Sequence, residues 1–114
     1  MSVRHTVKCW PENFQAIWDG VQTYTVRNND RNYKVGDSLQ IEEYVNDIWE
    51  THSNLEGEPQ NVFKEGYYTG RVMGATVVHI TPGGSLGMPL HICVLGVQVW
   101  QRNLFPDEKD NSLT

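Results

Sequence analysis

The chain has 114 residues, 39% of them hydrophobic and 20% charged, with four Trp, five Tyr and three Phe. That is the length of one domain, too apolar and aromatic for disorder and sufficient for one modest core. A net charge of −5, from 14 acidic and 9 basic side chains, argues when taken whole against a protein built chiefly to grip nucleic-acid phosphates.

The first predicted element is a short strand, His5-Thr6-Val7-Lys8-Cys9. Pro11 then suits the first position of a helix, where its missing N–H costs nothing. Phe14, Ile17 and Trp18 follow at helical spacing, and Gly20 supplies the stop. About two turns long, this helix needs a sheet to lie on. In Gln22-Thr23-Tyr24-Thr25-Val26-Arg27 the alternation puts Thr23, Thr25 and Arg27 on one face and Tyr24 and Val26 on the other. Asn28 to Asn32 is turn chemistry, Val35-Gly36-Asp37 is a second turn, and Ser38 to Tyr44 alternates as a strand.

Residues 45–66 lose the period. They carry Asp47, Glu50, Glu56, Glu58 and Glu65 against Lys64 alone, and they read as a long acidic loop with a short helical turn around Ile48-Trp49. Periodicity resumes at Tyr67 to Arg71 and again at Thr76 to Ile80. A Gly/Pro loop from Pro82 to Pro89 precedes an apolar, central strand from His91 to Trp100. Gly83-Gly84 has no Lys-Ser/Thr after it and is read as a hairpin loop, not a phosphate loop. The tail 105–114 is expected to fray. The sum is a mainly β (α+β) domain over 1–104: a small barrel of five to six strands with a short helix capping one end.

No window approaches the roughly 20 apolar residues of a membrane-spanning helix, and the first five residues lack a signal-peptide core. Cys9 and Cys93 form no CxxC pair and read as reduced, buried thiols of a cytoplasmic protein. His5, His52, His79 and His91 have no ligand spacing, so neither a metal nor another cofactor is expected.

Lys8-Cys9-Trp10-Pro11-Glu12-Asn13-Phe14, Asp19-Gly20, Thr23 to Arg31, Lys34 to Leu39 and Tyr68-Thr69-Gly70-Arg71 together resemble the ASCH group of the PUA-like superfamily. Within that group they are closest to a small uncharacterised family often carried by bacteriophages. The likeness spans nearly the whole chain except 45–66 and the tail, and it implies a PUA-like barrel with a cleft beside the strand that ends in Arg27. Related domains are thought to bind RNA or modified nucleobases there. One subgroup hydrolyses N4-acetylcytidine with a Lys, a Thr and a Glu. This chain has Gln22 where that Lys would stand, keeps Thr25 and Arg27, and offers no counterpart to the Glu. An amide can act neither as a base nor as an amine nucleophile, so no catalytic residue is assigned.

The expected ligand-binding set is Lys8, Trp10, Thr25, Arg27, Asn29, Arg31, Tyr68 and Arg71. Arg27 offers a fork for phosphate or a base edge, against an ion pair to Asp30 or Asp37. Trp10 and Tyr68 offer stacking faces. Against these stand a Trp10 staple onto Phe14, an Asx-type turn at Asn29-Asp30-Arg31, and a bulge at Gly70. The expected function is an RNA- or nucleotide-binding module, with two alternatives. One is a protein-interaction role, in which the acidic 45–66 segment engages a host protein. The other is the amidohydrolase. Charge by segment keeps the first expectation open: residues 42–66 hold −6, while 1–41 hold +1 and 67–104 hold +2. The net −5 belongs to one insertion.

Overall fold

A computed structural model of the chain describes residues 2–102. The elements in order are β1 (Arg4–Cys9), α1 (Pro11–Trp18), β2 (Tyr24–Asn28), β3 (Ser38–Val45), β4 (Ile48–Ser53), β5 (Pro59–Lys64), β6 (Tyr67–Thr81) and β7 (Ile92–Gln101). Five strands form one curled sheet, a half-barrel in the order β1-β3-β6-β7-β2. The pairing of β1 with β3 is parallel and the others are antiparallel.

Alternation builds the core. Val7 and Cys9 on β1, Leu39 and Ile41 on β3, Met73, Ala75 and Val77 on β6, and Cys93, Leu95 and Val97 on β7 all turn inward. Phe14 and Ile17, three apart on α1, fill the concave side. The helix starts at Pro11 and ends where Gly20 takes φ +79. There the N–H of Val21 bonds the carbonyl of Ala16 and that of Gly20 bonds Ile17, a Schellman closure.

Strand β2 breaks the apolar rule. Thr25 lies opposite Leu95 and Arg27 opposite Cys93, so this strand turns its polar residues toward the interior and leaves Tyr24 and Val26 exposed. The edge strands β1 and β2 therefore face a polar seam instead of meeting in a ladder.

Two expectations are corrected. Residues 45–66 are no loop with a helical turn: β4 and β5 pair in register from Ile48↔Lys64 to Ser53↔Pro59. Charged residues dilute the period, and a two-stranded arm with both faces in water has no need of an apolar one. Its turn is closed by Gly57 at φ +80 and by Asn54, whose side-chain oxygen accepts from the N–H groups of Glu56 and Glu58. The two segments expected at 67–71 and 76–80 are one 15-residue strand. The half-barrel itself has five strands, within the expected five to six, and the arm adds two more among the described residues. The tail expected to fray lies outside them.

Candidate functional site

The seam between β1 and β2 is a cleft. It has two contiguous parts, of about 240 Å³ and 400 Å³, which share Lys8, Arg27 and Asn28. Arginines span it where a barrel would have a strand ladder. Arg27 Nη1 donates to the carbonyl of Lys8 at 2.6 Å, and Arg31 Nη1 donates to the carbonyl of Thr6. These carbonyls sit two residues apart on edge strand β1, the spacing at which groups point to the same side of a strand. Arg27 forms no ion pair with Asp30 or Asp37, the structural alternative to a ligand role. Asp37 instead holds His5, at 2.8 Å from Nε2.

One end of the cleft is an aromatic shelf. Lys8 Nζ lies 4.5 Å from the centre of the Tyr44 ring and 5.9 Å from that of Tyr68, and the two rings meet edge-to-face at 4.9 Å. Tyr68 is about half exposed. At the other end stands Trp10, 60% exposed, so it does not staple onto Phe14. It is held in place because its own carbonyl accepts the Phe14 N–H at 2.8 Å as the helix begins.

The charge balance is mixed and slightly positive, with Lys8, Arg27 and Arg31 against Asp30 and Glu42. Arg27 stands close to three ionisable groups of the interior. Burial pushes the Cys9 thiol up to about 11, with Arg27 opposing, so this lining thiol stays protonated and poorly nucleophilic. Burial likewise raises Tyr33 and Cys93, again against the pull of Arg27. Both cysteines are unpaired and buried. Arg27 Nε is buried without a hydrogen-bond partner, a feature that demands explanation in a folded protein.

Of the eight expected site residues, six converge: Lys8, Trp10, Thr25, Arg27, Arg31 and Tyr68 all line the cleft. Two do not. Asn29 gives its N–H to the carbonyl of His91 and lines neither part. Arg71 is a packing residue. Its guanidinium lies 4.6 Å from the Trp18 ring centre and 5.0 Å from that of Phe14, donates to Gln15 at 3.0 Å, and stands 3.6 Å from Glu43. The reason is the Gly70 bulge, now explicit: Thr69, Gly70 and Arg71 lie opposite Glu43 alone, and Gly70 has φ +95. The two extra residues on β6 re-aim Arg71 toward α1.

The sequence pattern does not single out Asn13, Asn28, Tyr33 and Glu42 as cleft residues, and it marks Asp30 only as part of a turn. Asn28 follows Arg27 directly and could have been included with it. Glu42 could not, because it enters the cleft only through the parallel register Lys8↔Glu42. Among the described residues no three His, Cys, Asp or Glu side chains gather as metal ligands. No helix among them is long and apolar enough to cross a membrane.

The fold and site thus define a class: a mainly β half-barrel whose open seam is bridged by arginines and flanked by exposed aromatic rings. A family model described as a domain of unknown function (DUF3850) matches residues 4–97, and the chain belongs to that family. The match covers β1 to β6 with α1 and the arm, and the first part of β7. No curated protein matches the chain.

Proposed function

We propose that this chain is a small ASCH/PUA-like module of the phage-carried type, which binds RNA, a nucleotide or a modified nucleobase in the seam cleft without reacting with it. The observation that carries this reading is Arg27. Its guanidinium spans the cleft floor with a buried Nε that lacks a partner, between Lys8 and Arg31 and beside Trp10 and Tyr68. Planar donors next to exposed rings suit a base edge and its phosphate. Asp30 and Glu42 add acceptors for the N–H groups of a base. Gln22, at the position of the amidohydrolase Lys, donates its amide to the carbonyl of Tyr24 at 2.7 Å, which favours binding over catalysis. Two unpaired buried cysteines suit a reducing, cytoplasmic setting.

The test is an NMR titration with nucleosides, nucleoside monophosphates and short single-stranded RNA. Shifts should concentrate at Lys8, Trp10, Arg27 and Arg31. Trp10→Ala, at an exposed position, should weaken binding roughly fivefold or more. Arg27→Lys should weaken it while the fold is kept, and added salt should weaken it further. Titrations with no shifts at these residues would refute the reading.

A second reading rests on a different observation. The β4–β5 arm exposes Trp49 and Phe63, which pair across the strands at 5.2 Å, among five carboxylates. Such an arm suits a basic protein surface, in keeping with a host-protein partner. Cross-linking in host lysate followed by mass spectrometry should then give a specific partner that Trp49→Glu removes; identical cross-links from both proteins would exclude it.

A further inference from the structure

Trp10 and Asn13 line a second cavity as well as the cleft. It lies where α1 begins and the arm departs, holds about 420 Å³, and is walled by Pro11, Val45 and Ile48, with Glu12 and Asn46 at its side. Its volume falls within the range of small-molecule sites, about 300–1,000 Å³. Trp10 thus stands between a cationic cleft and an apolar cavity.

A second, independent feature links the two. Among the described residues, two buried side-chain polar atoms lack a hydrogen-bond partner: Arg27 Nε and Asn46 Oδ1. One belongs to a residue lining the cleft and the other to a residue lining the cavity beyond Trp10. The atoms call for opposite partners, since Nε–H is a donor and Oδ1 an acceptor.

Resting on the nucleotide-binding reading above, we infer that the cavity beyond Trp10 is a second base site, which makes the natural ligand at least a dinucleotide. Phosphate is unsuited to this cavity. Glu12 is in its wall, Asp47 follows Asn46 in the chain, and the lining carries no cation. A flat, uncharged ring suits it, set against Trp10 and Pro11. Asn46 Oδ1 and the Glu12 carboxylate are acceptors, so they favour a base with an exocyclic amine over one with a carbonyl at that position. The linking phosphodiester then falls on the Lys8 and Arg27 side of Trp10, where the cations are.

Calorimetric titration at low salt with AMP and with the dinucleotide pApA tests this, using the wild-type chain and Ile48→Glu. Ile48 is 44% exposed, so the substitution adds a carboxylate to the cavity without disturbing the core. The expected result is a gain of roughly tenfold or more from AMP to pApA, lost in Ile48→Glu while AMP affinity stays within about twofold. The Val45 and Ile48 methyl signals of the wild type should shift with pApA and not with AMP. The inosine pair, IMP and pIpI, carries a carbonyl in place of the amine and should gain less. Equal affinity for AMP and pApA, an equal inosine gain, or a gain that survives Ile48→Glu would overturn the second site and leave the cleft reading intact. Absence of binding by all four nucleotides would overturn both.

Discussion

Arg27 and Asp37 show how differently two ionised side chains behave in one small domain. Arg27 is set beside a gap that a longer or more apolar β2 would have filled, and it keeps an unused donor. Asp37 is an acceptor with both oxygens engaged. Its carboxylate accepts from His5 Nε2 at 2.8 Å and from the backbone N–H groups of Lys34 at 3.0 Å and Val3 at 3.1 Å. The bond from His5 is the main cause holding its pKa below the ordinary 3.8, with burial opposing. A carboxyl whose pKa is lower folded than unfolded adds stability that is fully present above the unfolded value and is lost as pH falls through the folded one. The wild-type chain should therefore lose this contribution below about pH 4. Asp37→Asn turns an amide N–H₂ toward a donor and should cost about 1–3 kcal/mol at neutral pH. Denaturant unfolding of both proteins from pH 7 to pH 2.5 checks this: the gap should narrow toward the acid end. A gap constant with pH would mean that the charge of Asp37 contributes nothing.

At the scale of elements, what was legible in the sequence is what local chemistry dictates. Pro11, Gly20 and the Phe14–Ile17 spacing mark α1 to within a residue, and alternation marks β1 and β3. The bulge at Gly70 was readable because positive φ favours glycine. Arg71 was misplaced because only the opposing strand reveals where a bulge turns the next side chain. Lys8, Trp10 and Arg27 could be grouped through a family likeness, but their convergence depends on β1 and β2 being the two edges of one curled sheet, a property of topology. The arm was illegible for a further reason: β4 and β5 bury almost nothing, so no selection for an apolar face leaves a period to read. An arm with so little buried surface contributes little to the stability of the half-barrel. Val45 and Tyr67 are directly opposite in the β3–β6 register, so residues 46–66 can be replaced by a two-residue Asn-Gly turn. The shortened chain should unfold cooperatively, with stability within about 1 kcal/mol of wild type and a Tm change of roughly 4–8 °C at most. A broad, non-cooperative melt would show that the arm belongs to the folding unit.

At the scale of the molecule, the question is whether an acidic arm and a basic seam sense each other's fields. The net charge of −5 is concentrated in 42–66, while the cleft holds three cations against two carboxylates. Each strand of the arm has six residues, which at about 3.3 Å per residue places its tip roughly 20 Å from its base. The Debye length is about 8 Å at physiological ionic strength and about 30 Å at 0.01 M. The tip carboxylates Glu56 and Glu58 should therefore repel an anionic nucleotide only in dilute salt. Glu56→Gln with Glu58→Gln removes two charges and leaves the strands, Ile48 and the cleft unchanged. AMP should bind this variant about two- to threefold more tightly than wild type at 0.01 M salt, and equally well at 0.15 M. NMR titrations at the two salt concentrations distinguish the outcomes. A gain that persists at 0.15 M would mean that the tip lies within a Debye length of the cleft in solution, and the arm would then be a direct electrostatic competitor for the ligand.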